Sequence, residues 1–175
     1  MTGANDGGGS KQIARVLLVC LGNICRSPMA EGALRAAAAA RGLEIVIDSA
    51  GTGDWHVGHP PDRRAQATAL AHGVDIASLR ARQADPDDFH LFTHIVAMDA
   101  QNFRDLADLR PADAKAQLLL LLDHLPGREG EGVTDPYYGG DAGFEAVWQD
   151  IIGGVEGLID ALERKPTPDQ SGVSG

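Results

Sequence analysis

Short apolar runs alternate with amphipathic stretches along most of the chain. Residues 13–20, IARVLLVC, are apolar and β-branched almost throughout, the pattern of a strand buried on both faces. The run stops at LGNICRSP. Residues 29–42, MAEGALRAAAAARG, then combine strong helix formers with a final glycine, which predicts a helix and its stop. Residues 44–53, EIVIDSAGTG, read as a second strand running into a Gly-rich loop. Residues 63–73, RRAQATALAHG, read as a helix that starts after PPD and stops at Gly73. THIVAMD, 93–99, is a third buried strand, and AQNFRDLADL, 100–109, a helix after it. Residues 114–126, AKAQLLLLLDHLP, fit strand and helix equally by periodicity. Their centre is assigned to a strand because the alternation requires one there. From 144 to 165, Phe144, Val147, Trp148, Ile151, Ile152, Val155, Leu158, Ile159 and Leu162 form a broad helical face, with Gly153 and Gly154 inside it where a bend is expected.

The order β-α-β-α-β-α-β-α implies a single α/β domain: a central four-stranded parallel sheet, flavodoxin-like or Rossmann-like, with helices on both faces. The domain is expected to span 12–165. The Gly-rich stretch 1–11 and residues 166–175, with Pro166 and Pro168, read as disordered tails. Ligands of such sheets sit at the carboxyl ends of strands, here the loops after Val19, Ile47 and Met98.

Composition narrows the chemistry. With 15 Lys and Arg against 25 Asp and Glu, the net charge of −10 disfavours nucleic acid and anionic membrane surfaces. Two cysteines exclude a disulfide scaffold and a four-thiolate zinc site. The start of the chain has neither the basic nor the apolar region of a signal peptide, so the cytoplasm is the expected location. His56, His59, His90, His94 and His124 lack metal-ligand spacing. No metal and no cofactor are expected.

The first loop, Cys20-Leu21-Gly22-Asn23-Ile24-Cys25-Arg26-Ser27-Pro28, carries the strongest chemical signal. Gly22 and Asn23 tolerate the positive φ that a tight anion-cradling loop needs. Pro28 suits the first turn of a helix, whose free N–H groups and dipole would point into the loop. Backbone donors closed by the Arg26 fork match the oxygens of a phosphoryl group. The same field favours the thiolate of Cys20, a nucleophile suited to a phosphocysteine intermediate. A buried structural Cys with an incidental Arg is the plainer alternative, and the Gly-Asn and Arg-Ser-Pro context argues against it.

CLGNICRSPMAE resembles the low-molecular-weight protein tyrosine phosphatases, of the phosphotyrosine protein phosphatase I fold. The similarity continues in DSAGTGDWHVG (48–58), LAHGVD (70–75), AMDAQN (97–102) and VTDPYYGG (133–140), spanning roughly 13 to 165. The DWHVG loop is most similar to bacterial members. The resemblance implies Cys20 as nucleophile, Arg26 as phosphate clamp and Ser27 as hydroxyl donor to the sulfur. Asp135, in a D-P-Y-Y loop, is implied as general acid and then general base; by itself it would read as an Asp-Pro turn. Trp55 and Tyr137 are implied as aromatic walls, with Ile24 beside the ring. Deep walls let a tyrosine phosphate reach the cysteine while a serine phosphate falls short. Asn23, Ser49 and His72 are implied as a supporting hydrogen-bond network, Asp99 as a structural acid, and Tyr138 as a phosphorylation site. Cys25 is implied as the partner of a reversible disulfide that guards Cys20; packing under the loop is its plainer role.

The expected activity is hydrolysis of phosphotyrosine in proteins and of small aryl phosphates, by a monomer. Candidate partners are a phosphotyrosine-containing protein, such as a bacterial tyrosine kinase, and phosphate or another oxyanion in the site. Arsenate reductase on the same fold is an alternative, weakened by the absence of any cysteine after Cys25. Protein-arginine phosphatase is another; such relatives carry Thr where this chain has Ile24. A noncatalytic phosphate-binding module would lack the nucleophile, the acid or the arginine, and all are present.

Overall fold

Val16, Leu17, Leu18 and Val19 are wholly buried, because the strand they form lies inside the sheet with a packed layer on each face. The computed structural model describes residues 12–164; the predicted tails 1–11 and 166–175 lie outside the described residues. Strand β1 is Arg15–Cys20, followed by α1 (Arg26–Ala40), β2 (Val46–Gly51), α2 (Arg63–Ala71), α3 (Asp88–Leu91) and β3 (His94–Ala97). Helix α4 (Ala100–Leu109), β4 (Gln117–Leu120), a 3-10 turn (Leu121–His124) and α5 (Asp141–Glu163) complete the chain. The four strands are parallel in the order β2-β1-β3-β4. The expected four-stranded α/β architecture is therefore the observed one.

Successive side chains of a strand point to opposite faces, and β1 divides the core accordingly. Val16, Leu18 and Cys20 join Met29, Leu34, Phe144, Trp148 and Ile151 on the side of α1 and α5. Leu17 and Val19 join Phe89, Ile95 and Leu106 on the side of α3 and α4. Because β1 ends at Cys20 on the α1 side, the loop that follows turns directly into α1.

Three local expectations change. The Leu-rich run is split, with Gln117–Leu120 as strand and Leu121–His124 as a 3-10 turn packed on α5. The long final helix starts at Asp141, before Phe144, and runs unbroken to Glu163. Glycines in its middle serve close approach: a Cβ on Gly157 would lie 1.8 Å from the His124 carbonyl oxygen, and one on Gly154 would lie 2.6 Å from Leu121 Cγ. Finally, α3 was not anticipated, since four residues are too few to show a period.

Candidate active site

The loop between β1 and α1 is held open as a ring by one residue in the left-handed region. Asn23 has φ 57°, which its short amide side chain tolerates when hydrogen-bonded locally. Gly22 has no positive φ, contrary to expectation. It is small because His56 lies over it, and a Cβ there would come within 3.0 Å of His56 Cδ2. Gly51 at the end of β2 is required as well, since a Cβ would meet the Leu21 carbonyl oxygen at 2.8 Å and Asn23 N at 3.1 Å. Among the described residues, the N–H groups of Gly22, Ile24 and Cys25 find no protein acceptor. They are donors available to an anion.

Cys20 is buried at the bottom of this ring. Its Sγ lies 3.0 Å from Ser27 Oγ and accepts from Asn23 N at 3.3 Å. Asn23 Nδ2 donates to Ser27 Oγ at 2.8 Å and to Ser49 Oγ at 3.0 Å, while its Oδ1 accepts from Arg82 N at 3.0 Å. Ser49 Oγ donates in turn to Glu31 Oε1 at 2.7 Å. Ser27 is therefore no helix cap; Cys25 holds the N-cap position without a side-chain bond.

His72 does not join this network, which corrects the expectation. It is the C-cap residue of α2, stacks on Trp148 at 5.2 Å, and its Nε2 lies 2.8 Å from Glu145 Oε1. The carboxylate of Glu31, only 2 % exposed, occupies the far end of the network instead. Arg35 donates to its Oε2 from Nε at 3.0 Å and from Nη2 at 2.8 Å. Sequence reasoning passed over Glu31 because an acid four residues before an Arg in a helix looks like a solvent-facing pair.

Arg26 opens α1 and is buried. Its Nη1 donates to Asp99 Oδ2 at 2.6 Å and to the Val133 carbonyl at 2.9 Å. Nη2 lies 3.6 Å from Asp135 Oδ2. Burial alone would lower its pKa, but Cys20, Asp99 and Asp135 outweigh it and raise the value, so the guanidinium stays charged. With Nη1 occupied, Nε and Nη2 make no hydrogen bond among the described residues. Asp99 has the expected structural role, capping α4 by accepting from Asn102 N at 2.7 Å, and holds Arg26 besides.

The cleft above the loop measures about 310 Å³. Cys20, Leu21, Gly22, Ile24, Cys25 and Arg26 form its floor. Trp55, His56, Asp135, Tyr137 and Tyr138 form its walls. The Trp55 ring is 67 % exposed and Tyr138 93 %, an aromatic rim with no covering of its own. Tyr138 meets Tyr137 edge-on at 4.9 Å between ring centroids. Asp135 Oδ1 accepts from Tyr137 N at 3.1 Å, which turns the other oxygen toward Arg26. Both cysteines are free. Burial, and after it the charges of Asp62, Cys20 and Asp135, push the Cys25 thiol far above its ordinary range and keep it protonated. His56 is a wall residue that sequence reasoning did not select, its ring centroid 6.2 Å from that of Tyr137. The arrangement can hold a tetrahedral dianion against a sulfur nucleophile and present a carboxyl group to its leaving side.

Comparison with known proteins points to one family. Residues 15–167 match the family model described as low molecular weight phosphotyrosine protein phosphatase. Low molecular weight protein-tyrosine-phosphatase YfkJ of Bacillus subtilis is 41% identical over 152 residues, covering 86% of this chain and 96% of its own. The phosphatase of Schizosaccharomyces pombe of the same family name is 43% identical, covering 85% and 96%. The crystal structure of YfkJ superimposes with a TM-score of 0.83, covering 91% of this chain and all of the other. That of a protein tyrosine phosphatase from Entamoeba histolytica, with Hepes in its active site, gives 0.81 at 36% identity, covering 86% and 97%. A match over nearly the whole described fold, with the Cys20 loop in place, makes this chain a member of the low molecular weight phosphotyrosine protein phosphatase family.

Proposed function

We propose that this chain is a protein-tyrosine phosphatase that hydrolyses phosphotyrosine in proteins, and small aryl phosphates, through a phosphocysteine on Cys20. The observation that carries it is the convergence of Cys20, Arg26 and Asp135 in one aromatic-walled cleft. The phosphoryl group sits in the loop, bound by its N–H groups and by Nε and Nη2 of Arg26. Cys20 sulfur attacks phosphorus as the bond to the phenolic oxygen breaks, and Asp135 gives its proton to that oxygen. Water then attacks the phosphocysteine while Asp135 takes a proton. The P–S bond breaks with its electron pair returning to sulfur, where the Ser27 hydroxyl stabilises the thiolate.

Trp55 and Tyr137 flank the phenyl ring and Ile24 lies beneath it. These walls give the depth that selects aryl over serine phosphates, and apolar Ile24 favours a phenyl ring over a guanidinium. The partner is a phosphotyrosine protein, with a bacterial tyrosine kinase as one candidate, and the enzyme acts as a monomer. A free nucleophilic thiol beside a second one needs a reducing compartment, which supports the cytoplasm. Among the described residues no helix is long and apolar enough to cross a membrane. The domain is taken as 12–165.

The test is turnover of p-nitrophenyl phosphate and phosphotyrosine peptides, expected to persist in EDTA and to be blocked by vanadate. Cys20→Ser abolishes it. Asp135→Ala loses most rate where the leaving group is poor, by about 10²–10⁴. Equal losses with aryl and activated phosphates would remove Asp135 from the proton transfer. A preference for phosphoarginine over phosphotyrosine peptides, shifted further by Ile24→Thr, would overturn the substrate assignment.

A further inference from the structure

Arg64, in the first turn of α2, takes no part in the reaction just described, yet its guanidinium is engaged on every side. Nε and Nη2 each lie 3.1 Å from the Asp62 carboxylate. Nη1 donates to the Gly139 carbonyl at 2.9 Å and Nη2 to the Tyr137 carbonyl at 3.0 Å. Its Cζ lies over the Phe144 ring, 4.6 Å from the centroid. Asp62 in turn donates its own N–H to the Ile24 carbonyl at 2.8 Å, on the phosphate loop. One side chain thus links the loop that carries Asp135 to the loop that carries Cys20.

The Asp135 loop has little else to hold it. Within residues 134–140 the remaining hydrogen bonds are local, from Tyr137 N to Asp135 Oδ1, from Gly139 N to the Pro136 carbonyl and, at the start of α5, from Gly143 N to the Gly140 carbonyl. Apart from the bond that Gly143 N of the adjoining α5 makes to the Gly140 carbonyl, the two from Arg64 are, among the described residues, the only hydrogen bonds that this segment accepts from another element. The ion pair of Asp135 with Arg26 is long, at 3.6 Å, and a bound phosphoryl group would compete for that arginine. A forked group that binds two carbonyls and a carboxylate at once fixes both distance and angle, which a single ammonium does not.

We propose that Arg64 is a positioning residue for proton transfer: it fixes the loop 134–140 so that Asp135 stands over the leaving oxygen and Tyr137 over the ring. The proposal rests on the phosphatase reading above. It predicts that loss of Arg64 is felt through Asp135 and not as a general loss of activity.

The experiment is a double-mutant cycle of Arg64→Met with Asp135→Ala, using phenyl phosphate and 2,4-dinitrophenyl phosphate. Arg64→Met should lower kcat/KM, which reports the leaving-group step alone, for phenyl phosphate by at least about tenfold, a part of what a general acid supplies, and much less for the dinitrophenyl ester. In the Asp135→Ala background it should cost less than about twofold more, since residues acting as a unit are not additive. Iodoacetate inactivation of Cys20 should keep its wild-type rate, which reports an intact phosphate loop. If Arg64→Met does not fold, Arg64→Lys is used in the same cycle, because it keeps the pair with Asp62 and loses the fork. Equal losses in both backgrounds, or for both esters, would overturn the Arg64 assignment alone. A wild-type chain without turnover would overturn the phosphatase reading and this proposal with it.

Discussion

The Ser49 hydroxyl donates to Glu31 Oε1 across 2.7 Å, and so commits the Ser49 oxygen to accept from the Asn23 amide, which also reaches Ser27 beside Cys20. Arg35 holds the other oxygen of Glu31, so the carboxylate is an acceptor on both sides. With its proton committed to Glu31, Ser49 accepts from Asn23 Nδ2. The second proton of that amide goes to Ser27 Oγ, so the Ser27 proton has two acceptors, Cys20 Sγ at 3.0 Å and the Ala50 carbonyl at 3.4 Å, of which the sulfur as a thiolate is the stronger. Replacing Glu31 by Gln offers Ser49 a donor as well as an acceptor, so the Ser49 proton can turn toward Asn23 and loosen that amide. Glu31→Gln should lower kcat/KM about tenfold, the scale of one hydrogen bond to a charged group, and slow iodoacetate inactivation of Cys20. Wild-type values in both measurements would show that the Glu31 carboxylate is not needed to hold Asn23.

Arg26 depends on Asp99 in a comparable way. The guanidinium is buried, and without Asp99 its Nη1 would keep only the Val133 carbonyl. Asp99 also caps α4, so a simple alanine would confuse two effects. Asp99→Ser keeps a cap and removes the grip on Arg26. It should raise KM for p-nitrophenyl phosphate and the inhibition constant of inorganic phosphate by about ten- to a hundredfold, with thermal stability closer to wild type than that of Asp99→Ala. Unchanged phosphate inhibition would mean that Arg26 is aligned without Asp99.

The parts of the site that could be seen in the sequence are those whose chemistry is local. A buried strand ending in Cys20, with Arg26-Ser27-Pro28 opening a helix, defines its own geometry from neighbouring residues. The strands β1 and β3 were plain for the same reason, each being a continuous apolar run. Glu31, Arg64 and the grip of Asp99 on Arg26 depend on contacts between distant segments, which no spacing encodes. His72 shows the opposite error: its surroundings match a motif, but Trp148 and Glu145 on α5 take the ring, and that packing is set by tertiary structure. The Leu-rich segment was ambiguous because both a buried strand and a 3-10 turn against α5 demand apolar residues at every position.

Stability should depend on pH through His94, at the start of β3. Burial in the first place, and the nearby His124 in the second, hold its imidazole below the ordinary value of 6.5. Thr93 Oγ1 lies 2.7 Å from its Nδ1. The unfolded chain takes up this proton near pH 6.5, about the unperturbed histidine value, and the folded chain only at lower pH. Between the two, the unfolded state binds more protons, so stability rises with pH. The contribution is complete above about pH 6.5 and is lost as pH falls through the folded value. Thermal melts between pH 7.5 and 5 should show a declining Tm that flattens in His94→Gln. Parallel declines in the two proteins would assign the effect to other groups.

The net charge of −10 and the anion site are reconciled by distance. The positive character of the cleft comes from loop N–H groups, the start of α1 and Arg26, all within contact of the phosphoryl group. The acidic remainder acts at longer range. Screening lengths fall from about 30 Å at 0.01 M salt to about 8 Å at 0.15 M, so the surface matters for encounter only when salt is low. Asp54 beside Trp55 and Asp141 at the start of α5 lie in or beside the segments that form the rim, while Arg64 is already committed to Asp62. A phosphotyrosine peptide with basic flanks should therefore show a higher kcat/KM than one with acidic flanks at low salt, with the ratio shrinking toward one as salt rises. The effect should appear in kcat/KM and not in kcat, because steering changes encounter and leaves the bound chemistry alone. A ratio independent of salt would place the selectivity in direct contacts with the rim instead.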